Sequence, residues 1–366
     1  MRNVAAQRTW AEVSRSAIEH NLRFLRSQIP ADCELMPAIK AQAYGHGAQF
    51  VARILSENGV RHAAVANLYE ALEIADFFEP PNILLLSAPL AAELPEIVRH
   101  GFASIVSSEL DVTALEKWAV RLQKQAYVHL KIDTGMGRLG CAPQEAPQIC
   151  SRILQSRHLQ LKGVMTHFAS ADVDLRATRK QLRLFLHTVE KLRLPCNFPL
   201  HAANSAGLLR LAPARLQLVR PGLTLYGVSP VKGFAAFLRP ALTWKSRITL
   251  LKNIPAGHGV SYASTFRAPR PMRIAVVSVG YADGYPRALS NKAHVLIRGQ
   301  RCDVLGRVTM DEIMVAVDKV PGVERGEEVI LLGAELPASE LAKWANTSAY
   351  EILTRIGTRV ERVPIR

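Results

Sequence analysis

The chain has 366 residues, 49% of them hydrophobic, enough to bury a large core and to suggest two domains. Its net charge of +15 is dispersed, as in ILQSRHLQLK and RATRKQLR, without a Lys/Arg block, zinc-finger spacing or RRM-type aromatic signature, so no nucleic-acid partner is expected. A basic host proteome or attraction of anionic ligands accounts for that charge equally well.

Cys33, Cys141, Cys150, Cys196 and Cys302 are odd in number and form no C-x-x-C pair, which fits a reduced, cytoplasmic protein. MRNVAAQRTWAEVSRS lacks an apolar signal core, and no 18-residue apolar run exists, so no leader and no membrane span are expected.

In chain order, Ser16-Ala17-Ile18-Glu19 reads as a capping box opening the helix IEHNLRFLRSQI. Strands are expected at 35–39, 63–66, 82–86, 103–106, 126–132, 161–166, 198–202 and 216–219. Their continuous apolar character suits parallel strands covered on both faces. Helical patterns such as VTALEKWAVRLQ and RKQLRLFLHTVEKL fall between them. Eightfold alternation predicts an α/β fold with an N-terminal (β/α)₈ TIM-type barrel.

From about residue 236 the texture changes. TWKSRITLLKNI, RIAVVSVG, AHVLIRG, RCDVLGRV, IMVAVD and EEVILLG are strand-like, with little helix before ASELAKWANTS. The expected division is a barrel over 1–235 and a mostly antiparallel β domain over 236–366, with the boundary near VSPVKGFAAFLRP.

Barrel enzymes work at the carboxyl ends of their strands. Lys40 follows the first expected strand. Asp133 and TGMGRLG, with Arg138, follow the fifth, and His167 follows the sixth. His201 and Asn204-Ser205 follow the seventh, and Arg220-Pro221-Gly222 the eighth. Each alone has an ordinary structural reading; their coincidence at one rim points to a shared pocket. Gly135-Met136-Gly137-Arg138-Leu139-Gly140 fits G-x-G-x-x-G, but Pro143 separates it from the next helix and the next strand ends in Thr166-His167, so a dinucleotide site is excluded. No metal-binding, G-x-S-x-G or Walker pattern occurs. A pocket lysine can form a Schiff base with an aldehyde cofactor such as pyridoxal 5'-phosphate. Barrels commonly cradle phosphate after strands seven and eight, where Ser205 and Gly222 lie.

At this point the chain resembles the alanine racemases, fold-type III pyridoxal-phosphate enzymes. AIKAQAYGHG, KIDTGMGRLG, MTHFASAD, HAANSAG, RPGLTLYG, VSYASTF, VGYADGYPR and VTMDEIMV fall in family order over nearly the whole length. The resemblance implies a bacterial cytoplasmic enzyme that interconverts L- and D-alanine for peptidoglycan, working as a homodimer with shared sites. Lys40 would hold the cofactor and act as acid/base on one face of Cα, and Tyr262, from the other subunit, on the opposite face. Arg220, bonded by His167, would meet the pyridine nitrogen. Arg138 would meet the cofactor's phenolic oxygen and the substrate carboxylate. Tyr44, Ser205, Gly222, Leu223 and Tyr350 match the phosphate-binding set, with Asn204 beside them. Met310 and Asp311 match positions near the substrate carboxylate, and Lys131 matches a lysine often carbamylated.

Gln42 stands where Asp or Asn is usual, Thr309 where many relatives have cysteine, and Thr358 where proline is usual. The alternatives are a serine or broad-specificity racemase, a basic-amino-acid decarboxylase, which would need an acidic residue at Arg220, and a non-catalytic cofactor-binding barrel, which would lack the β domain.

Overall fold

The computed structural model describes residues 7–366. Residues 1–6, the start of the segment read as lacking a signal core, lie outside the described residues. The chain forms two compact units. One comprises Ile18–Ala43 and Gly47–Leu238; the other comprises the chain up to Ala17, Tyr44–His46 and Arg239–Arg366.

The chain enters through β1 (Thr9–Ser14), part of the second unit, and α1 (Arg15–Ser27). The expected capping box is displaced by two residues. The Ser14 hydroxyl, not that of Ser16, accepts the Ala17 N–H at 3.2 Å, because the helix starts as soon as β1 ends.

The first unit is the expected barrel. Its strands are β2 (Glu34–Leu35), β3 (Ala63–Val65), β4 (Ile83–Leu85), β5 (Ala103–Val106), β6 (Ala126–Lys131), β7 (Leu159–Met165), β8 (Leu200–Asn204) and β9 (Leu218–Arg220). They pair in parallel in the order β2-β9-β8-β7-β6-β5-β4-β3. The ring closes where Ala38 bridges Ala64, with Ile39 N–H to Ala64 O and Ala64 N–H to Pro37 O both at 2.9 Å. Pro37 has no N–H, which is why the first strand is broken rather than continuous over 35–39. The interior is apolar, packed from Met36, Ala64, Leu84, Ile105, Met165 and Leu218.

The intervening helices are α2 (Lys40–Gly45), α3 (Ala48–Glu57), α4 (Leu68–Glu73), α5 (Leu94–His100), α6 (Glu109–Leu122), α7 (Ala146–Gln155), α8 (Leu175–Glu190) and α9 (Ser205–Arg210). Asn67, Ser108 and Asp174 cap α4, α6 and α8 through their side-chain oxygens. α2 is different in kind. Ala41, Gln42, Ala43 and Tyr44 have φ between 52° and 54°, a left-handed turn of non-glycine residues. Each L-residue held there costs about 1–2 kcal/mol.

The second unit is built on β10 (Leu242–Ile254), β11 (Gly259–Val260), β12 (Phe266–Arg267), β13 (Met272–Val277), β14 (His294–Ile297), β15 (Gln300–Leu305), β16 (Ile313–Ala316), β17 (Glu328–Leu332) and β18 (Glu361–Ile365). The main sheet runs β13-β16-β15-β14-β17-β10-β1-β18, and β13 pairs again with β10, so six antiparallel strands curl into a barrel. The 13-residue β10 manages both neighbours by bulging between Trp244 and Lys245 and between Ile248 and Leu250. Helices α10 (Ala338–Ala345) and α11 (Ala349–Thr354) follow β17. Trp10 and Trp244 are fully buried, and the Trp244 indole donates to Thr9 Oγ1 at 2.9 Å.

The left-handed turn makes a direct prediction. Ala41 is exposed, so Ala41→Gly should stabilise the protein by about 0.5 kcal/mol in urea denaturation. A loss of about 1 kcal/mol, the result for a right-handed helix interior, would contradict the assignment.

Candidate active site

Lys40 opens the left-handed turn at the carboxyl rim of the first barrel strand. Glu70, in the first turn of α4, holds this corner. Its Oε1 accepts the Ala41 N–H at 2.8 Å and its Oε2 the Ala66 N–H at 2.6 Å. Ala43 N–H returns to Ile39 O at 2.9 Å and Gly47 N–H to Gln42 O at 2.8 Å. Tyr226 donates to Ala38 O at 2.9 Å and fixes the approach to Lys40. Gln42 donates to Glu73 Oε2 at 2.6 Å. Burial, then the charge of Arg138, lowers the Lys40 pKa from the ordinary lysine value, with Glu70 opposing.

The loop after β6 is a closed knot. Asp133 Oδ1 accepts the N–H groups of Gly135 and Met136, both at 2.8 Å, and Oδ2 accepts that of Gly137 at 2.9 Å. Burial alone would raise the Asp133 pKa, but these backbone donors overcome it and hold the carboxyl below the usual carboxylate range. Cys141 N–H to Lys131 O and Asp133 N–H to Cys141 O, both 2.9 Å, pin the loop back on the strand. Gly140 has φ +123°, and a Cβ there would lie 2.6 Å from Asp133 N. The glycines therefore close a loop that presents Arg138, rather than opening a helix on a dinucleotide.

Arg220 ends β9 and is buried. It donates to Thr166 O at 2.7 Å and Ala202 O at 3.2 Å, and its guanidinium lies 2.6 Å from His201 Nδ1 and 3.4 Å from His167 Nδ1. Burial lowers its pKa to about 9, so it stays cationic at neutral pH. His167 is pushed down to about 3 by burial and then by Arg220 and Arg138. Lys131, buried in β6, is pushed down to about 8 by burial, Arg220 and Arg138, with Asp133 opposing. Among the described residues, no carboxylate forms an ion pair or side-chain hydrogen bond with Lys40, Lys131, Arg138 or Arg220.

Ser205 opens α9. Its buried hydroxyl accepts the N–H of Gly222 at 2.9 Å and of Thr224 at 3.4 Å, so the chain segments after β8 and β9 are tied together. Asn204 caps α9 by accepting the Gly207 N–H at 2.9 Å, and buried Leu223 begins a 3₁₀ turn over Leu223–Tyr226.

Tyr44, Tyr262, Met310, Asp311 and Tyr350 belong to the other unit. Tyr44 and Tyr350 pack with ring centroids 5.9 Å apart. Arg362 anchors the same region, donating to Gly45 O at 2.8 Å and to the carbonyls of Ile356, Gly357 and Val360. That clamp orders the turn that carries Thr358. Tyr262 is 70% exposed, on a turn in which Ser261, Ala263 and Ser264 all have positive φ. Ser261 Oγ donates to Arg307 O at 2.6 Å, and a Cβ at Gly306 would lie 2.5 Å from Val260 O, so the turn is tightly backed. Met310 O accepts the Ala282 N–H at 3.0 Å and Asp311 receives Arg359 at 2.9 Å. Thr309 Oγ1 donates to Glu312 O at 2.7 Å, a local turn contact.

Sequence reasoning did not single out Glu70, Gln181 or the Thr134–Thr166 pair. Gln181 Oε1 accepts the Ala169 N–H at 2.9 Å and its amide donates to His167 O at 3.2 Å, while the two threonine hydroxyls lie 2.7 Å apart. Thr134 and Thr166 lie within the segments KIDTGMGRLG and MTHFASAD, but their contact, like those of Glu70 and Gln181, joins chain segments brought near only by the barrel.

A (β/α)₈ barrel with a lysine at the first strand end, joined to a β barrel, defines a class of barrel protein with a basic rim, and comparison with known proteins narrows it. The family model for the alanine racemase N-terminal domain matches residues 13–230, and that for the C-terminal domain residues 241–364. An alanine racemase of Methylacidiphilum infernorum is 40% identical over 365 residues, covering 98% of this chain and 93% of the relative. The solved alanine racemase of Clostridium difficile 630 superposes with a TM-score of 0.93 at 35% identity, covering 98% and 96% of the two chains. That of Bartonella henselae, solved with covalently bound pyridoxal phosphate, gives 0.90 at 30% identity, covering 98% and 100%. The chain belongs to the alanine racemase family. Its activity is the isomerase reaction of that family, interconversion of the two enantiomers of alanine. No helix among the described residues is long and apolar enough to cross a membrane.

The neutral histidines set an acid sensitivity. His129 and His167 are both pushed from the ordinary 6.5 to about 3, with burial the leading cause. Their folded pKa values are depressed, so the unfolded chain binds more protons between those limits. Stability is full above pH 6.5 and falls as the pH drops from 6.5 toward 3. The thermal midpoint should therefore decline already between pH 6.5 and 5, above the range in which ordinary carboxylates titrate. A flat midpoint over that interval would contradict buried neutral imidazoles.

Proposed function

We propose that this chain racemises alanine with pyridoxal 5'-phosphate held at the barrel rim, in a homodimer of the bacterial cytoplasm that supplies D-alanine for peptidoglycan. The observation that carries the cofactor reading is the charge imbalance. Lys40, Lys131, Arg138 and Arg220 cluster with no carboxylate paired to them, which calls for an anionic occupant. A phosphate, a phenolic oxygen and a substrate carboxylate together meet that demand. Ser205, Gly222 and Leu223, with Tyr44, Tyr350 and neighbouring Asn204, would hold the phosphate. Arg138 would hold the phenolic oxygen and the substrate carboxylate, and Arg220, backed by His167, the ring nitrogen. When bound, the cofactor supplies an aldehyde for an amine and an electron-withdrawing ring that acidifies the Cα–H.

The protein's own residues then do the proton work. Lys40 Nζ, with its lowered basicity, takes and returns a proton on one face of Cα. The phenol of Tyr262 of the partner subunit serves the other face. An unperturbed phenol near pKa 10 is a weak base at neutral pH and needs neighbouring donors or cations. Removing a proton from one face and adding one on the other inverts the centre. Arg220 can only donate, so the ring nitrogen it meets stays unprotonated, which restrains reactions beyond proton exchange. Met310 and Asp311 would line the carboxylate end of the substrate. Lys131, at about 8, carries some neutral amine at pH 7, the form that adds carbon dioxide. Carbamylation there would exchange a cation for an anion and orient Arg138. The 70% exposure of Tyr262 supports a site completed by a second copy of the chain.

The purified protein should show a visible cofactor band, and L-alanine in deuterated water should yield D-alanine carrying deuterium at Cα. Lys40→Ala should lose that band; an unchanged spectrum would refute the role of Lys40. Tyr262→Phe should keep the cofactor and lose exchange from one enantiomer by roughly 100-fold or more, while equal losses for both enantiomers would refute the two-face assignment. Mixing unfolded Lys40→Ala and Tyr262→Phe chains and refolding them together should recover about a quarter of wild-type activity, since half the dimers are mixed and each has one intact site. Recovery of none would contradict shared sites.

A further inference from the structure

A buried polar chain runs from the site into the barrel. Arg220 Nη1 lies 2.6 Å from His201 Nδ1, and His201 Nε2 lies 2.9 Å from His129 Nδ1. The three side chains belong to residues exposed by only 4, 0 and 3%. The protons along this chain follow from its charged end. A guanidinium only donates, so His201 Nδ1 accepts and His201 carries its proton on Nε2. That N–H points at His129 Nδ1, so His129 keeps its own proton on Nε2. His129 in turn lines a cavity of about 430 Å³ at the amino ends of the strands, beside His62, Glu34, Lys162 and Gln217. The barrel makes room for this imidazole. Gly163 sits in the middle of β7, where glycine weakens a strand, and a Cβ there would lie 2.5 Å from His129 Nδ1.

We infer that His129 is a positioning residue for racemisation: by accepting the buried His201 Nε2–H it supports the tautomer that the Arg220 contact requires, and through it the orientation of Arg220. This rests on the reading of Arg220 as the cofactor-facing cation. Without an acceptor, the buried His201 Nε2–H is left unsatisfied, and moving the proton to Nδ1 becomes competitive with holding the Arg220 contact. His201 would then turn a donor toward a donor at the Arg220 contact and drive the guanidinium aside. Burial keeps both rings neutral, which the scheme requires, with His129 at about 3 and His201 well below its ordinary value.

Nitrogen-15 NMR of the full-length chain labelled at histidine reads the His201 tautomer directly. His129→Asn keeps an acceptor near the Nδ1 position and should leave His201 protonated on Nε2. His129→Leu should give a mixture of tautomers. In the enzyme supplied with pyridoxal phosphate, His129→Leu should lower kcat roughly tenfold, the scale of one hydrogen bond near a charge, with a smaller change in KM, and should shift the cofactor's visible band. His129→Asn should restore both, and Gly163→Ala, which displaces the ring from behind, should reproduce the leucine variant. A single His201 tautomer in His129→Leu, or equal losses in the Asn and Leu variants, would overturn the inference. Should His129→Leu fail to fold, Gly163→Ala and His129→Asn decide between the same outcomes. A wild-type chain that binds no pyridoxal phosphate would refute the reading of the site while leaving the tautomer measurement valid.

Discussion

A guanidinium buried without a carboxylate is the constraint around which the barrel rim is organised. Arg220 is satisfied by two carbonyls and two imidazoles rather than by an ion pair. A carboxylate there would neutralise the site and could offer a proton to a ring nitrogen. Carbonyls and neutral histidines leave the positive charge undiminished and aimed. The cost of burying the cation is spread over β8 and the residues that follow β7, which supply those partners. Burial, then Arg220 and Arg138, lowers the basicity of Lys131, and burial, then Arg138, lowers that of Lys40, so the two amines are tuned by the same cationic rim.

The second organising feature is stored strain. The turn after Lys40 and the turn carrying Tyr262 both hold non-glycine residues at positive φ. Such conformations persist only where surrounding contacts over-determine them. Glu70 and the returning N–H groups of Ala43 and Gly47 do so for the first turn, and Ser261 with the close approach of Gly306 for the second. Both proposed acid/base groups thus sit on backbone with little freedom to drift.

Much of this was legible in the sequence, for physical reasons. Parallel strands buried on both faces announce themselves as apolar runs, and all eight fell within a few residues of where they were expected. In the second unit β10 and β13 to β17 were readable because Gly, Pro and Asp separate them, whereas the two-residue β11 and β12 were too short to register. β1 and β18 were not. TWAEVS is short, carries Glu12 and Ser14, and abuts a helix, while β18 contains Pro364, which argues against a strand unless it lies at an edge. Residues after strand ends were identifiable because barrel topology converts sequence position into a common rim. The supports were hidden. Glu70 and His129 act through partners far away in sequence, and the one local trace is Gly163, a glycine inside a strand with no turn to justify it.

The pairing of β1 has a consequence for how the protein is made. β1 spans Thr9–Ser14, yet its partners are β10 and β18, which end at Ile254 and Ile365. The barrel segments finish at Leu238, more than a hundred residues before β18 begins at Glu361, so that unit can fold well before the last partner of β1 is made. Until β18 emerges, β1 waits with one edge open. Long-range strand pairing is slow and leaves unpaired edges exposed in the meantime. The nascent chain therefore carries an early strand held in reserve for a partner made much later, and that interval is when it most needs protection from aggregation.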